Sequence, residues 1–92
     1  MSENYREDFV SIKILFFAKA RELSGTGSAT FLIKRQILAS ELANEICHSF
    51  NLHSLRHSFI IAINEIYCED LTESLELNSG DEIAIIPPIS GG

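Results

Sequence analysis

Apolar positions follow two different periods along the chain, and the change of period separates strands from a helix. Residues 10–14 alternate apolar with polar side chains, and Leu15-Phe16-Phe17 continues as an apolar run. This pattern predicts a strand that is buried on one face and partly on the other. From Leu38 onward the apolar residues recur every fourth position, which predicts an amphipathic helix ending near Asn51. That stripe consists of Leu38, Leu42, Ile46 and Phe50, with Ala39, Ala43 and Cys47 beside them.

Shorter segments on either side of this helix are typical of strands joined by turns. Ser24-Gly25-Thr26-Gly27 and Asn78-Ser79-Gly80-Asp81 are turn sequences, and Asn64-Glu65 predicts a tight hairpin turn. Before the main helix the sequence predicts a short helical or turn segment at 19–23 and a second strand at 29–34. After it we expect a one-turn or irregular segment at 53–57, a central strand at 59–63, a short edge strand at 66–68, a connection at 69–79 with one helical turn near 71–74, and a last strand at 82–86.

These elements follow the order β-β-α-β-β around one main helix. One amphipathic stripe covers one face of a sheet, so we expect an α+β fold in which a mixed sheet wraps around that helix. Residues 1–8 are polar and lack an apolar period, and we interpret them as a flexible N-terminal extension. The domain itself is predicted at 9–86, followed by an extended tail at 87–92.

The first and last strands have apolar side chains on both faces. Leu15 and Phe17 point away from the face that carries Ile14 and Phe16, and the last strand has the same two-sided pattern. One helix cannot cover both faces of the sheet. The uncovered apolar surface predicts association with another protein, the alternative being that loops cover it.

Composition and charge exclude several classes of function. Seven Lys and Arg stand against 13 Asp and Glu, and the resulting net charge of −6 repels phosphate backbones, so we expect no nucleic acid partner. No run reaches the roughly 18 apolar residues of a membrane span. Cys47 and Cys68 lack the spacing of a disulfide framework or a zinc site, which favours the cytosol. The acidic flank at 1–8 also differs from the basic start of an export signal.

The last six residues, Pro87-Pro88-Ile89-Ser90-Gly91-Gly92, carry the candidate chemistry. Proline cannot donate to a sheet ladder, so strand pairing should end there and the tail should project. Two glycines leave a tip without side chains, narrow enough to enter a partner's tunnel. A carboxylate becomes reactive once an ATP-using enzyme adenylates it, and a sulfur nucleophile can then displace the nucleotide. The product would be a C-terminal thiocarboxylate, whose anionic sulfur is nucleophilic.

The chain resembles the MoaD-type sulfur carriers, the small subunits of molybdopterin synthase, over nearly all of residues 10–92. Residues 80–92 match the ending GDE-x-A-x-x-PP-x-[ST]-GG, which distinguishes these carriers from thiamine sulfur carriers and ubiquitin-related modifiers. Further matching stretches lie at 12–18, 21–23, 25–26 and 62–64. The polar extension and the local sequence Glu65-Ile66-Tyr67-Cys68 depart from the common pattern.

The resemblance implies a β-grasp, ubiquitin-like fold and a carrier that is not an enzyme on its own. A MoeB-like enzyme would consume ATP to activate Gly92, and the tail with Gly91 would enter the large catalytic subunit. There it would pass sulfur to cyclic pyranopterin monophosphate, within a heterotetramer of two small and two large subunits. No cofactor or metal is expected on the chain itself. The implied partner interface consists of Phe17, Tyr67, Ile86, Pro87, Pro88, Ile89 and Ser90.

Three other functions stay open on the sequence. They are a ubiquitin-like modifier joined to protein lysines through Gly92, a thiamine-pathway sulfur carrier, and a plain interaction module. His53 and His57 have i, i+4 spacing but no well-placed carboxylate or cysteine, so we interpret them as solvated. The two cysteines are interpreted as packing residues. Arg21-Glu22 matches the family motif and equally fits a surface ion pair or cap.

Overall fold

The computed structural model describes residues 8–87, so residues 1–7 of the predicted extension and residues 88–92 of the predicted tail lie outside that range. Seven strands, two α-helices and a short 3-10 helix follow one another in the described part of the chain. They are β1 (Phe9–Phe16), α1 (Ala18–Ser24), β2 (Ser28–Lys34), β3 (Gln36–Leu38), α2 (Ala39–Phe50), the 3-10 helix (His53–Leu55), β4 (Ile60–Ile63), β5 (Ile66–Cys68), β6 (Ser74–Glu76) and β7 (Glu82–Ile86).

Five strands form the principal sheet in the order β2-β1-β7-β4-β5. β1 and β7 run parallel to each other, and every other neighbouring pair is antiparallel. The strand at the centre is therefore β7, the last one in the chain. A mixed sheet packed on one main helix is the predicted α+β, β-grasp fold, which is confirmed. The short edge strand predicted at 66–68 is β5, which pairs with β4 at the edge of the sheet.

The hydrophobic core lies between the inner face of this sheet and α2. Its fully buried side chains from β1 and β7 include Ile12, Ile14, Ile83 and Ile85, and those from α2 include Leu42 and Ile46. Phe16 packs against Phe50 with ring centroids 4.9 Å apart. Burial of these apolar surfaces is the main favourable term in folding, worth about 25 cal/mol per Å² removed from water.

Both ends of the main helix α2 are defined by local features, a hydrogen bond at its start and a left-handed residue at its end. The backbone N–H of Leu38 donates to the Glu41 carboxylate at 3.2 Å, which satisfies one donor ahead of the first turn. Asn51 takes the left-handed conformation with φ of 63°, as predicted for the residue that stops the helix. The stripe differs from the prediction at its first member, because Leu38 lies in β3 and is exposed.

Two short strands were missed by the sequence analysis. β3 and β6 pair antiparallel as a separate two-stranded sheet, with Ile37 opposite Leu75. The helical turn predicted near 71–74 is wrong. The carboxylate of Asp70 accepts the backbone N–H of Thr72 at 2.9 Å and its hydroxyl at 2.6 Å, and this local turn leads directly into the extended β6.

Candidate functional site

The outer face of the sheet carries a row of apolar side chains that α2 does not cover. Cross-strand pairing places Leu15 beside Ala84, Ala84 beside Ala62, and Ala62 beside Tyr67. Tyr67 is 62% exposed at the end of this row. Ala62 is buried without belonging to the core cluster, since it lies on the opposite face of β4 from Ile61. The outer face thus has an apolar layer of its own.

A second apolar row lies next to the first, at the end of the sheet where β7 finishes. Ile86 pairs with Ile60, which is 45% exposed. Phe17 is 47% exposed, and its N–H donates to the carbonyl of Ile85 at 3.3 Å, which places it at this same end. We call the two rows together the tail-side patch, which comprises Leu15, Phe17, Ile60, Ala62, Tyr67, Ala84 and Ile86.

The backbone around Phe17 is held from two sides. On one side its N–H donates to the carbonyl of Ile85 in β7. On the other side its carbonyl accepts hydrogen bonds from the N–H groups of Ala20 at 3.0 Å and Arg21 at 3.4 Å, in the first turn of α1. Ala18, the first residue of α1, adopts a φ of 51°. The left-handed region costs a residue with a Cβ roughly 1–2 kcal/mol. The surrounding hydrogen bonds hold this turn and so fix where Phe17 emerges.

The structure places three of the predicted interface residues, Phe17, Tyr67 and Ile86, on this one face. Pro87 directly follows β7 and is buried. The remaining predicted site residues lie outside the described part of the chain: Pro88, Ile89, Ser90, Gly91 and Gly92. Ile60 was not among the predicted interface residues, although the alternation in Ile60-Ile61-Ala62-Ile63 puts it on the same side as Ala62.

Charge is distributed unevenly along the sequence, with a division at Arg56. All seven Lys and Arg lie at or before Arg56, whereas residues 57–92 contain seven carboxylates and no Lys or Arg. The carboxylates are Glu65, Glu69, Asp70, Glu73, Glu76, Asp81 and Glu82. Hydrogen bonds from Thr72 lower the pKa of Asp70, which favours its charged form at neutral pH. The strands that supply Tyr67 and Ile86 thus belong to the acidic part of the chain.

The two cysteines are buried thiols, as predicted for packing residues. Cys47 lies on the core side of α2, and Cys68 lies in β5 opposite Ile61. Burial raises the pKa of both thiols, and for Cys68 the neighbouring Glu73 carboxylate adds to the effect. Both therefore stay protonated at neutral pH, a state in which sulfur is a poor nucleophile.

The histidines and the Arg21-Glu22 motif, the other candidates from the sequence, form contacts with nearby residues rather than a site. The His48 and His53 rings meet edge to face with centroids 6.0 Å apart. No set of three or more His, Cys, Asp or Glu side chains within residues 8–87 is arranged to hold a metal ion. Glu22 forms its ion pair with Lys19 at 3.6 Å rather than with Arg21. None of the helices described here is long and apolar enough to cross a membrane.

The fold and the exposed apolar face define a ubiquitin-like β-grasp protein. The crystal structure of SAMP1 from Haloferax volcanii superimposes with a TM-score of 0.71, covering 89% of this chain and 99% of that one, at 19% sequence identity. At that identity the likeness shows the fold alone. The complex of subunits 1 and 2 of molybdopterin-converting factor from Helicobacter pylori contains a chain with a TM-score of 0.60 and 25% identity, covering 90% of this chain and all of that one.

Sequence comparison then gives the family. The ThiS family matches residues 14–92. The molybdopterin synthase sulfur carrier subunit of Anopheles gambiae is 51% identical over 87 residues, which span 92% of this chain and 96% of that protein. The chain belongs to the ThiS family, in its branch of molybdopterin synthase sulfur carrier subunits. The predicted function, a small sulfur carrier in molybdenum cofactor biosynthesis, is thereby confirmed.

Proposed function

We propose that the working group of this carrier is the Gly92 carboxylate and that it alternates between carboxylate and thiocarboxylate. A partner enzyme of the MoeB type would transfer AMP from ATP to this carboxylate and release pyrophosphate. A sulfur donor would then displace AMP, so that sulfur replaces one carboxylate oxygen. In the large subunit of the synthase the thiocarboxylate would give its sulfur to cyclic pyranopterin monophosphate, and repeated delivery would build the dithiolene.

The observation that carries this proposal is that the family match continues through Gly91-Gly92 to the last residue of the sequence. The described residues provide no competing chemistry. The two thiols are buried and protonated, and no three potential metal ligands within residues 8–87 converge. A carboxylate activated by a partner requires no catalytic side chain on the carrier, and ATP would accordingly be bound by that partner.

We further propose that the tail-side patch docks on the large subunit while the tail occupies that subunit's catalytic pocket. The patch lies at the end of β7, directly before Pro87, so a protein bound there is close to the start of the tail. Phe17 and Tyr67 would supply the large, rigid aromatic surfaces typical of interface anchors. The solved Helicobacter complex of the two subunits is a precedent for such pairing, and we expect a heterotetramer of two small and two large subunits.

The acidic character of residues 57–92 suits partners that handle anions. ATP and a cyclic phosphate both require cationic pockets, and an acidic carrier is attracted to the protein surfaces around such pockets. The rate of association should therefore fall as salt is raised, because exposed charges are screened over about 8 Å at physiological ionic strength. We place the carrier in the cytosol, where the free thiols of Cys47 and Cys68 would persist.

Mass spectrometry of the chain purified from its own host tests the proposal. The expected species has one C-terminal oxygen replaced by sulfur, and it should disappear when iodoacetamide alkylates the terminal sulfur. The matched control is the chain that lacks Gly91-Gly92, which should fold normally but carry no sulfur and restore no molybdopterin synthesis. Molybdopterin synthesis with the truncated chain would contradict the proposal, and a linkage of Gly92 to lysine would favour the modifier function instead.

A further inference from the structure

A second apolar groove lies on the other side of β5 from the tail-side patch. Ile66 and Tyr67 are consecutive in this strand and therefore point to opposite faces. Ile66 is 73% exposed, more than any other large apolar side chain in the described part of the chain. With Ile63 and Leu75 it lines a groove of about 290 Å³, to which Tyr67 and Cys68 of the same strand also contribute. We call it the Ile66 groove.

The groove is held in place by the turns beside it. Asn64 and Glu65 both have positive φ, 49° and 73°, which is the tight hairpin turn between β4 and β5. The Asn64 side chain accepts the N–H of Glu82 at 2.9 Å and donates to the carboxylate of Asp81 at 3.0 Å. This hairpin is tied to the start of β7, so Ile66 is presented by a fixed turn.

The rim of the groove is acidic. Glu73 and Glu76 line it on the β6 side, and neither forms an ion pair within residues 8–87. No Lys or Arg follows Arg56 in the sequence, so the segments that line the groove supply no cation of their own. A complementary ligand therefore combines an apolar surface for Ile66 and Leu75 with a positive charge for the rim.

We infer that the Ile66 groove docks a segment of another protein in which a lysine or arginine lies next to a branched apolar side chain. The aliphatic stem of the cation would lie on Ile66 and Leu75, and its head would reach Glu73 and Glu76, as long cationic side chains commonly do on apolar surfaces. The volume of about 290 Å³ lies just below the roughly 300–1,000 Å³ of small-molecule sites, which fits side chains better than a cofactor. The inference goes beyond the proposed function and does not depend on the tail.

NMR titration of the isotopically labelled full chain with the peptide acetyl-Val-Lys-Ile-Arg-Val-amide tests this inference. We expect saturable shifts confined to the amides of β5, β6 and the Asn64-Glu65 turn. Ile66→Ser should weaken binding at least fivefold, and the double change Glu73→Gln with Glu76→Gln should also weaken it and remove its dependence on salt. Leu32→Ser is the matched control, because Leu32 is similarly exposed at 65% but lies in β2, at the opposite edge of the sheet.

A second peptide, acetyl-Gly-Lys-Gly-Arg-Gly-amide, keeps the charge and removes the apolar side chains. It should bind at least fivefold more weakly than the first. Equal binding of the two peptides would overturn the inference, since charge alone would then explain it. So would shifts centred on the tail-side patch, binding unchanged by Ile66→Ser, or no saturable binding of the first peptide. All three changes are at exposed positions, and an unchanged spread of amide signals shows that each variant is folded.

Discussion

Phe16 and Phe17 are neighbours in the chain but belong to two different surfaces. Phe16 is 2% exposed and packs against Phe50 on the inner face, whereas Phe17 is 47% exposed on the outer face. The same alternation separates Ile85 from Ile86 in β7. The inner residues remove apolar surface from water when the chain folds, and the outer residues can do so only when a partner binds. Adjacent, chemically identical side chains can thus serve stability and recognition separately.

The largest expected effect is on the inner face. Phe16→Ala should lower the free energy of unfolding by about 3–5 kcal/mol, because it removes a fully buried ring and leaves a cavity beside Phe50. Phe17→Ala should lower it by less than about 1 kcal/mol. Chemical denaturation of the two variants measures this contrast directly. If Phe16→Ala does not fold, Phe16→Leu provides the milder comparison. Equal losses at the two positions would contradict the division between the faces.

For binding to a partner, the outer-face residues should matter more than they do for stability. Phe17→Ala and Tyr67→Ala should each weaken binding to the large synthase subunit by about tenfold or more, which corresponds to about 1.4 kcal/mol. Isothermal titration calorimetry with the purified large subunit would measure it. Leu32→Ala is the control, because Leu32 is exposed on the same outer face but lies two strands from β7. A loss of affinity in the control equal to that of Phe17→Ala would show that the patch extends over the whole face.

A third prediction concerns the turn between β4 and β5, which is tied to the start of β7. Asn64→Ala removes the hydrogen bonds to Asp81 and Glu82 and places at positive φ a residue that tolerates this conformation less well than asparagine, so the free energy of unfolding should fall by about 2–3 kcal/mol. Asn64→Gly separates the two causes, because glycine tolerates the turn but lacks the side chain. It should recover about 1 kcal/mol of the loss in denaturation experiments. Equal stability of the two variants would assign the whole effect to the hydrogen bonds.

The smallest expected effect is the pH dependence of stability that arises from the Cys47 thiol, which lies on the core side of α2. Burial raises the pKa of Cys47, although the charge of Arg56 opposes the shift. The unfolded chain therefore releases this proton at lower pH than the folded protein does. The contribution of the thiol is complete below its ordinary pKa of 9.0 and is lost as pH rises through the higher folded value. Denaturation between pH 7 and pH 10, compared with Cys47→Ala, should show a steeper decline for the unmodified chain. Parallel curves would refute the assignment.

The long periodic segments made most of the fold predictable from the sequence. β1, α2 and β7 have enough residues for a period of two or of about four to be recognised, and Asn51 marked the end of α2 by its tolerance of positive φ. β3 and β6 have three residues each, too few to show a period, and they form only because distant segments pair. Leu38 was wrongly assigned to the helix, because its spacing of four residues from Leu42 fits the helical stripe, although Leu38 is the last residue of β3.

The tail-side patch was partly predictable. Apolar residues on both faces of β1 and β7 indicated an uncovered surface, and Phe17, Tyr67 and Ile86 do share that face. Which strands lie next to each other is not visible in the pattern, because neighbours in the sheet are distant in sequence. The position of Ile60 beside Ile86 therefore emerged only with the register of β4 against β7.

The central position of β7 determines how force on the tail reaches the domain. The strand is hydrogen-bonded along both edges, to β1 on one side and to β4 on the other. A protein that grips the residues after Pro87 pulls along this strand, and two ladders then resist in shear together. A strand paired on both edges should therefore let the domain withstand such pulling without unfolding, which suits the proposed cycles of loading and delivery.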